Sequence, residues 1–179
     1  KAFQRAFNVA KQIRSETGIQ RGGSSVASVS VELVERIFES PEGRSVLVIG
    51  AGDTGEKVAR ALISRGVDRV LISNRSREKS VALAEALGPK AQPVDSWEEP
   101  AESVDVLVSS TSFPGFILHA RDVAALMRAR HRRPLLLIDL AVPRDIDPAV
   151  ISLSDVYLFN VDDLQAIAEA HRRQREAEV

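Results

Sequence analysis

The sequence predicts a doubly wound α/β fold in which helices cover both faces of a parallel β-sheet. Three observations support this prediction: short continuous apolar runs recur along the chain, helical patterns separate most of them, and a glycine-rich turn directly follows the first run. A short apolar run without alternation is typical of a strand that is covered on both faces. Strands that alternate with helices favour a parallel sheet with right-handed crossovers, and we expect the strand order 3-2-1-4-5-6.

The expected strands and intervening helices occupy the middle of the chain. The strands are predicted at residues 45–49, 70–72, 91–94, 104–108, 135–138 and 156–159. Apolar residues at helical spacing predict helices over 56–64, 78–87 and 121–130.

Helical patterns without strands precede this region. They predict a helix over residues 2–13, which is followed by glycines at 18, 22 and 23, and a second helix over 28–39. The composition of residues 40–43 indicates a turn. We therefore divide the chain into a helical lead-in (1–40), an α/β domain (41–159) and a C-terminal helix (160–179).

The C-terminal helix has a clear predicted start at Asn160. This residue can cap the helix, and Asp162 and Asp163 suit its first turn because the helix dipole favours acidic groups there. Its apolar side comprises Leu164, Ile167, Ala168 and His171. An apolar stripe needs a partner, so we expect the helix either to lie back on the domain or to pack on material outside this chain.

Composition restricts the possible classes of function. Hydrophobic residues make up 44% and charged residues 27% of the 179 residues, which excludes disordered and collagen-like chains. The formal net charge of −1 gives no overall attraction to nucleic acid or to an anionic membrane. No apolar run approaches the ~18 residues of a membrane span, and residues 1–5 do not resemble a signal peptide, so we expect a cytoplasmic location.

Cysteine is absent, and this excludes disulfides, thiolate metal sites and a cysteine nucleophile from the 179 residues. The three histidines are scattered without the carboxylate spacing of a metal site, so no metal is predicted. No arrangement of serine, histidine and aspartate indicates a hydrolase.

A glycine-rich motif follows the first predicted strand and precedes a predicted helix. It comprises Gly50, Ala51, Gly52, Asp53, Thr54 and Gly55. In this context the first glycine permits a tight turn, the second lets the backbone approach a pyrophosphate, and the third allows close packing of helix on strand. The free N–H groups of the first helical turn then face the anion, so the motif predicts a dinucleotide site.

The end of the second strand indicates which dinucleotide binds. An NAD site requires Asp or Glu about 20 residues after the glycines, to accept hydrogen bonds from the ribose hydroxyls. The sequence instead has Asn74, Arg75 and Ser76, with Arg77 and Lys79 behind them. A guanidinium group can bind a 2′-phosphate and stack on adenine, so we predict that the cofactor is NADP(H). The alternative interpretation is that these residues form the solvated start of a helix, where the arginines bind no cofactor.

Further polar residues follow the fourth and fifth strands. Ser110 and Thr111 are expected to line the path from ribose to nicotinamide, although hydroxyls that satisfy loop backbone are an equal alternative. For Arg144 and Asp145 we favour a local ion pair over a role in the site. Trp97 is expected to pack over the sheet. The last group is expected to be a solvated cluster at a helix end: Arg128, Arg130, His131, Arg132 and Arg133.

Several blocks of the sequence resemble the glutamyl-tRNA reductase family over the whole length of the chain. They are residues 3–7 (FQRAF), 15–19 (SETGI), 25–28 (SVAS), 48–52 (VIGAG), 74–76 (NRS), 139–148 (DLAVPRDIDP) and 160–164 (NVDDL). The last two blocks are much more specific than a glycine-rich fingerprint.

The resemblance implies a Rossmann-like domain that serves NADPH-dependent reduction of glutamyl-tRNA to glutamate-1-semialdehyde, in tetrapyrrole (porphyrin) biosynthesis. In that family a cysteine of an N-terminal catalytic domain forms a thioester that NADPH reduces. Because this chain has no cysteine, we interpret it as a fragment without catalytic residues of its own. Residues 1–40 then correspond to the end of the catalytic domain and a linker, and residues 160–179 to the start of a long spinal helix that forms the homodimer of the full-length enzyme.

Two other functions remain open. A shikimate-dehydrogenase-type NADP oxidoreductase would share the glycine turn and the Asn-Arg-Ser clamp, but it would need a catalytic Lys–Asp pair in a substrate domain. A non-catalytic NADP-sensing module would signal through its terminal helix.

Overall fold

The computed structural model describes residues 26–178, and its elements are numbered here in chain order. The helices are α1 (Val26–Phe38), α2 (Asp53–Ser64), α3 (Arg77–Leu87), α4 (Glu98–Ala101), α5 (Ala120–Ala129) and α6 (Val161–Ala177). The strands are β1 (Ser45–Ile49), β2 (Arg69–Ser73), β3 (Ala91–Val94), β4 (Val106–Ser109), β5 (Leu135–Asp139) and β6 (Val156–Asn160). A 3₁₀ turn (Pro148–Ser152) precedes β6. The helix predicted over 2–13 and the glycines at 18, 22 and 23 lie outside the described residues.

The strands form one parallel sheet in the order β3-β2-β1-β4-β5-β6, which confirms the predicted fold class and strand order. The central strand β1 pairs with β2 on one side and with β4 on the other, and Ile49 lies opposite Ser73 and Ser109. Because the strands are parallel, the carboxyl ends of β2, β1 and β4 lie side by side. This is the switch point at which such sheets bind their ligands.

The two faces of the sheet have separate apolar cores, because successive strand residues point to opposite faces. On one face the strand residues pack against α1, α2, α3 and α6, and they include Val46, Val48, Ile72, Val108 and Ile138. On the other face they pack against α5 and the 3₁₀ turn, and they include Leu47, Leu71, Leu107, Leu135 and Leu137. As predicted, Trp97 packs against this second core.

The C-terminal helix α6 lies back on the domain, which is the first of its two expected arrangements. Leu164, Ile167 and Ala168 are buried, and α6 contacts both α1 and β6. Asn160 caps the helix as predicted: its side chain accepts a 3.0 Å hydrogen bond from the N–H of Asp163, whose carboxylate accepts the N–H of Asn160 at 3.0 Å. The division of the chain at residues 40 and 160 stays a prediction.

Several element boundaries differ from the prediction for local reasons. Helix α2 begins at Asp53 and not at residue 56, because its first turn is formed by the glycine motif and lacks the apolar period. The strand predicted from residue 104 begins at Val106, since the N–H of Val104 bonds to the carbonyl of Pro100 instead of the sheet. The single-turn helix α4 and the 3₁₀ turn were not predicted, because they are too short for periodicity to indicate them.

Candidate functional site

The glycine turn after β1 is held between the ends of its two neighbouring strands. The N–H of Gly50 donates to the carbonyl of Ser73 at the end of β2, at 2.8 Å. The N–H of Ser110, just after β4, donates to the carbonyl of Ile49 at 2.8 Å. The structure thus brings together the three segments that the sequence predicts for the dinucleotide site: the glycine motif, residues 74–76 and residues 110–111.

Ser110 lies directly against all three glycines of the motif. A Cβ atom placed at Gly50 would lie 2.3 Å from the carbonyl oxygen of Ser110, and Gly50 has a φ of +95°. A Cβ at Gly52 would lie 2.9 Å from the Ser110 Oγ, and one at Gly55 would lie 3.1 Å from the Ser110 Cβ. A side chain at Gly50 would collide with the main chain of Ser110, whereas one at Gly52 or Gly55 would require Ser110 to shift, so the glycines allow the turn and β4 to approach this closely.

The N-terminus of α2 opens onto this turn. Its N-cap is Gly52, and among the described residues no side chain caps it. In contrast, Ser76 caps α3 and Asn160 caps α6. The first-turn residues Asp53 and Thr54 are exposed, so their main-chain N–H groups are available to an anion.

The Asn74–Ser76 segment after β2 is ordered by its own hydrogen bonds. The Asn74 amide donates to the carbonyl of Ser76 at 3.0 Å, and the Ser76 Oγ accepts the N–H of Lys79 at 3.4 Å at the start of α3. The Ser76 hydroxyl also donates to the Glu78 carboxylate at 2.8 Å. This bond, aided by the backbone N–H of Glu78, holds the pKa of the Glu78 carboxyl below its ordinary value.

The two arginines beside this segment differ in their partners. Arg77 forms an ion pair with Asp95, which follows β3. Arg75 is exposed and has no hydrogen-bond or ion-pair partner within residues 26–178. Arg75 is therefore the guanidinium group in this segment that is free to bind a phosphate.

The turn after β4 is anchored to a buried carboxylate that the sequence analysis did not assign to the site. Asp145 is fully buried, and its Oδ2 accepts the Ser109 hydroxyl at 2.6 Å and the Thr111 N–H at 3.0 Å. Its Oδ1 accepts the Thr111 hydroxyl at 2.7 Å. The Thr111 hydroxyl thus bonds to a carboxylate that anchors the loop, which agrees with a structural role for this hydroxyl. Ser110 instead faces the glycine turn.

The expected ion pair between Arg144 and Asp145 is absent, and this prediction was wrong. Arg144 instead pairs with Asp162 in the first turn of α6. Asp145 turns inward because three hydrogen-bond donors from residues 109 and 111 replace the arginine. The signal in the sequence was the row of hydroxyl residues after β4, which need acceptors when they are buried.

A second buried acid, Asp139, ends β5 and orders the segment that carries Asp145. Its carboxylate accepts the main-chain N–H groups of Ala141, Asp145 and Ile146 at 3.0 to 3.3 Å. Burial raises the pKa of the Asp139 carboxyl, and the nearby Asp145 adds to this rise, while the three N–H groups oppose it.

One member of the basic group at the end of α5 is not solvated, contrary to expectation. Arg130 is 1% exposed, and its guanidinium donates to main-chain carbonyls before β4 and before β5. The acceptors are Ala101, Glu102, Val104 and Pro134. Burial lowers the pKa of Arg130 to about 10. Arg128, His131, Arg132 and Arg133 are exposed, as predicted.

Residues 26–178 contain neither a cluster of metal-ligating side chains nor a membrane-spanning helix. No group of three or more acidic or histidine side chains in the 26–178 range could hold a metal ion. None of the helices in that range is long and apolar enough to cross a membrane.

Comparison with known proteins identifies relatives over almost the whole chain. The family model described as "Shikimate / quinate 5-dehydrogenase" matches residues 32–167. Glutamyl-tRNA reductase 2 of Anaeromyxobacter dehalogenans is 42% identical over 174 residues, which are 97% of this chain and 39% of that protein. The chain thus spans about two fifths of the length of this curated relative.

One solved structure is similar in sequence and fold, and a second in fold alone. The glutamyl-tRNA reductase of Methanopyrus kandleri superposes with a TM-score of 0.80 at 40% identity, over 99% of this chain and 46% of that chain. Quinate dehydrogenase of Corynebacterium glutamicum, solved with NAD, shares the fold with a TM-score of 0.59 at 17% identity, over 86% of this chain and 61% of that one. The chain therefore belongs to the shikimate/quinate 5-dehydrogenase family, and its curated relatives at about 40% identity are glutamyl-tRNA reductases.

Proposed function

We propose that the protein binds NADP(H) at the carboxyl edge of its sheet. The pyrophosphate would lie over the glycine turn, against the uncapped N-terminus of α2, where Gly52, Asp53 and Thr54 offer main-chain contacts. The observation that supports this proposal best is the close packing of the three glycines against Ser110. The turn therefore carries no side chains at the positions where it lies nearest to Ser110. Relatives of this fold include a quinate dehydrogenase solved with NAD.

The preference for the phosphorylated coenzyme rests on residues 74–76. No carboxylate follows β2 at the position where an NAD site needs one. Arg75 is exposed and unpaired within the described part of the chain, and it would bind the 2′-phosphate together with Asn74 and Ser76. Glu78 would have to release the Ser76 hydroxyl, because its carboxylate competes for that donor and would repel a phosphate.

We propose further that the domain serves a glutamyl-tRNA reductase, as its relatives at about 40% identity suggest. The coenzyme would supply a hydride that reduces the glutamyl group of glutamyl-tRNA to glutamate-1-semialdehyde. These 179 residues hold no cysteine, so the thiol that forms the thioester would belong to another part of a longer, cytoplasmic and homodimeric enzyme. The contribution of this chain is to bind and orient the coenzyme, with Ser110 and Thr111 beside its nicotinamide end.

Shikimate or quinate oxidation is the second candidate, and the matching family model favours it. One assay series tests both activities: the chain is incubated with NADPH and glutamyl-tRNA, or with NADP⁺ and shikimate or quinate, and turnover of shikimate or quinate would favour the second candidate. We expect no turnover of glutamyl-tRNA, because these 179 residues hold no cysteine that could form the thioester. Turnover of glutamyl-tRNA by the 179 residues alone would overturn the assignment of the thiol to another part of the enzyme.

Coenzyme binding is tested by calorimetric titration of the chain with NADPH and with NADH. We expect heat of binding with NADPH and a dissociation constant for NADH that is at least about tenfold higher, the equivalent of one charged phosphate contact. If neither coenzyme binds, the proposed function is refuted. If NADH binds more tightly than NADPH, the proposed contact of Arg75 with the 2′-phosphate is refuted.

A further inference from the structure

We propose that Asp145 is a positioning residue of the coenzyme site, which acts through Ser109 and Thr111 on the glycine turn. This inference rests on the proposed binding of NADP(H). Asp145 is fully buried and does not reach the surface of the site. Its effect on the coenzyme is therefore indirect.

The carboxylate of Asp145 accepts hydrogen bonds from both chain neighbours of Ser110. Ser109 contributes its hydroxyl at 2.6 Å, and Thr111 contributes its N–H at 3.0 Å and its hydroxyl at 2.7 Å. Three donors thus converge on two oxygens, and one of the donors is a main-chain N–H that cannot turn away. A carboxylate can accept all three, whereas an asparagine amide offers a single acceptor oxygen.

Asp145 is itself fixed from the opposite side. Its main-chain N–H donates to the Asp139 carboxylate at 3.1 Å, and its carbonyl accepts the N–H groups of Ile117 and Leu118 at 2.7 and 3.1 Å. No basic side chain of the described residues pairs with Asp145. The partners of this buried carboxylate are therefore the donors of Ser109 and Thr111, and their loss would leave a buried carboxylate without hydrogen bonds.

Ser110 passes this constraint to the glycine turn. Its carbonyl, Oγ and Cβ are the nearest atoms to the Cβ positions of Gly50, Gly52 and Gly55, at 2.3, 2.9 and 3.1 Å. A shift of Ser110 by a few tenths of an ångström would either press on the glycine turn or leave it unsupported. The N–H groups that face the pyrophosphate would then lose their alignment.

The test uses variants that cannot touch the coenzyme directly. Asp145→Asn removes one acceptor oxygen, and Ser109→Ala removes a fully buried hydroxyl whose partner is Asp145. Arg130→Met is the matched control, because Arg130 is equally buried and hydrogen-bonded but lies before β4 and β5, at the opposite edge of the sheet. Each variant is titrated with NADPH and with adenosine 2′-phosphate, which reaches only the Asn74–Ser76 segment, and its melting temperature is recorded.

We expect Asp145→Asn and Ser109→Ala to raise the dissociation constant for NADPH by about five- to tenfold, the equivalent of roughly one hydrogen bond. The constant for adenosine 2′-phosphate should change less than about twofold for both, since the Asn74–Ser76 segment does not contact Asp145. Arg130→Met should lower the melting temperature and leave both constants unchanged.

Unchanged NADPH binding in Ser109→Ala, or an equal loss for both ligands, would show that Asp145 only stabilises the fold and would overturn the inference. If Asp145→Asn does not fold, Ser109→Ala decides alone. Failure of the unsubstituted chain to bind NADPH would refute the proposed function itself, and this outcome is distinct from a variant effect.

Discussion

The carbonyl oxygen of Ser110 lies 2.3 Å from the position that a Cβ atom would occupy at Gly50. Real Cβ atoms essentially never approach a backbone oxygen so closely, and Gly50 also has a φ of +95°. Two independent constraints therefore require glycine at this position.

Substitution Gly50→Ala should destabilise the protein and abolish NADPH binding. The positive φ alone costs about 1–2 kcal/mol for an L-residue, and the collision with a main-chain atom adds to this cost. Gly88→Ala is the matched control: its φ is +92°, but a Cβ there would meet nothing within 4 Å. Urea denaturation should show a larger loss for Gly50→Ala, and equal losses would contradict the importance of the Ser110 contact.

Substitution Arg75→Ala should weaken NADPH binding by about 10- to 100-fold and leave NADH binding almost unchanged. The reason is the loss of one charge-assisted contact with the 2′-phosphate, worth about 1.5–3 kcal/mol. Arg77→Ala is the control, since Arg77 is already engaged by Asp95. Calorimetry with both coenzymes measures the effect, and a loss of similar size for NADH would show that Arg75 does not bind the 2′-phosphate.

Substitution Arg130→Met should lower the free energy of unfolding by about 2–4 kcal/mol. It removes the donors to four main-chain carbonyls, and unsatisfied buried acceptors cost about 1–3 kcal/mol each before relaxation. Arg128→Met on the exposed side of the same helix should change stability by less than about 0.5 kcal/mol. If the two variants unfold at the same urea concentration, the buried guanidinium contributes little.

The stability difference between the unsubstituted protein and Asp139→Asn should depend on pH. Because burial raises the pKa of Asp139 in the folded state, folding takes up a proton at pH values between the ordinary value of 3.8 and the raised one. The stability contributed by Asp139 therefore falls as pH rises through this interval, and the variant lacks this dependence. Urea denaturation from pH 4 to 7 measures the difference.

The variant Asp68→Asn, which removes an exposed carboxyl group, serves as the control for Asp139→Asn. A difference between the protein and Asp139→Asn that stays constant with pH, or grows as pH rises, would contradict the raised pKa.

Elements that depend on local patterns were predictable from the sequence. The strand order followed from alternating strands and helices, and the cap at Asn160 followed from the residues of the first helical turn. The position of the glycine turn in the fold was also predictable, because a predicted strand precedes the motif and a predicted helix follows it. The helix cap and the glycine motif are each encoded by a few neighbouring residues, whereas the strand order follows from a pattern that extends over all six strands.

Features that join distant segments were not predictable. Ser109 and Asp145 are 36 residues apart and meet only because β4 and β5 are neighbours in the sheet. Arg130 belongs to a basic cluster that favours solvation on composition alone, yet its helix ends where four carbonyls need a donor. Arg144 was assigned to the adjacent Asp145 because sequence proximity was the available criterion, whereas Asp162 is its partner.

The buried guanidinium of Arg130 has a practical consequence for protein engineering. It holds the segments that lead into β4 and β5 at one end of the strands, while the glycine turn lies at the other end. With the coenzyme bound as proposed, thermal tolerance and coenzyme choice depend on residues at opposite ends of the strands. Libraries directed at each end can be selected separately and then combined, with additive gains.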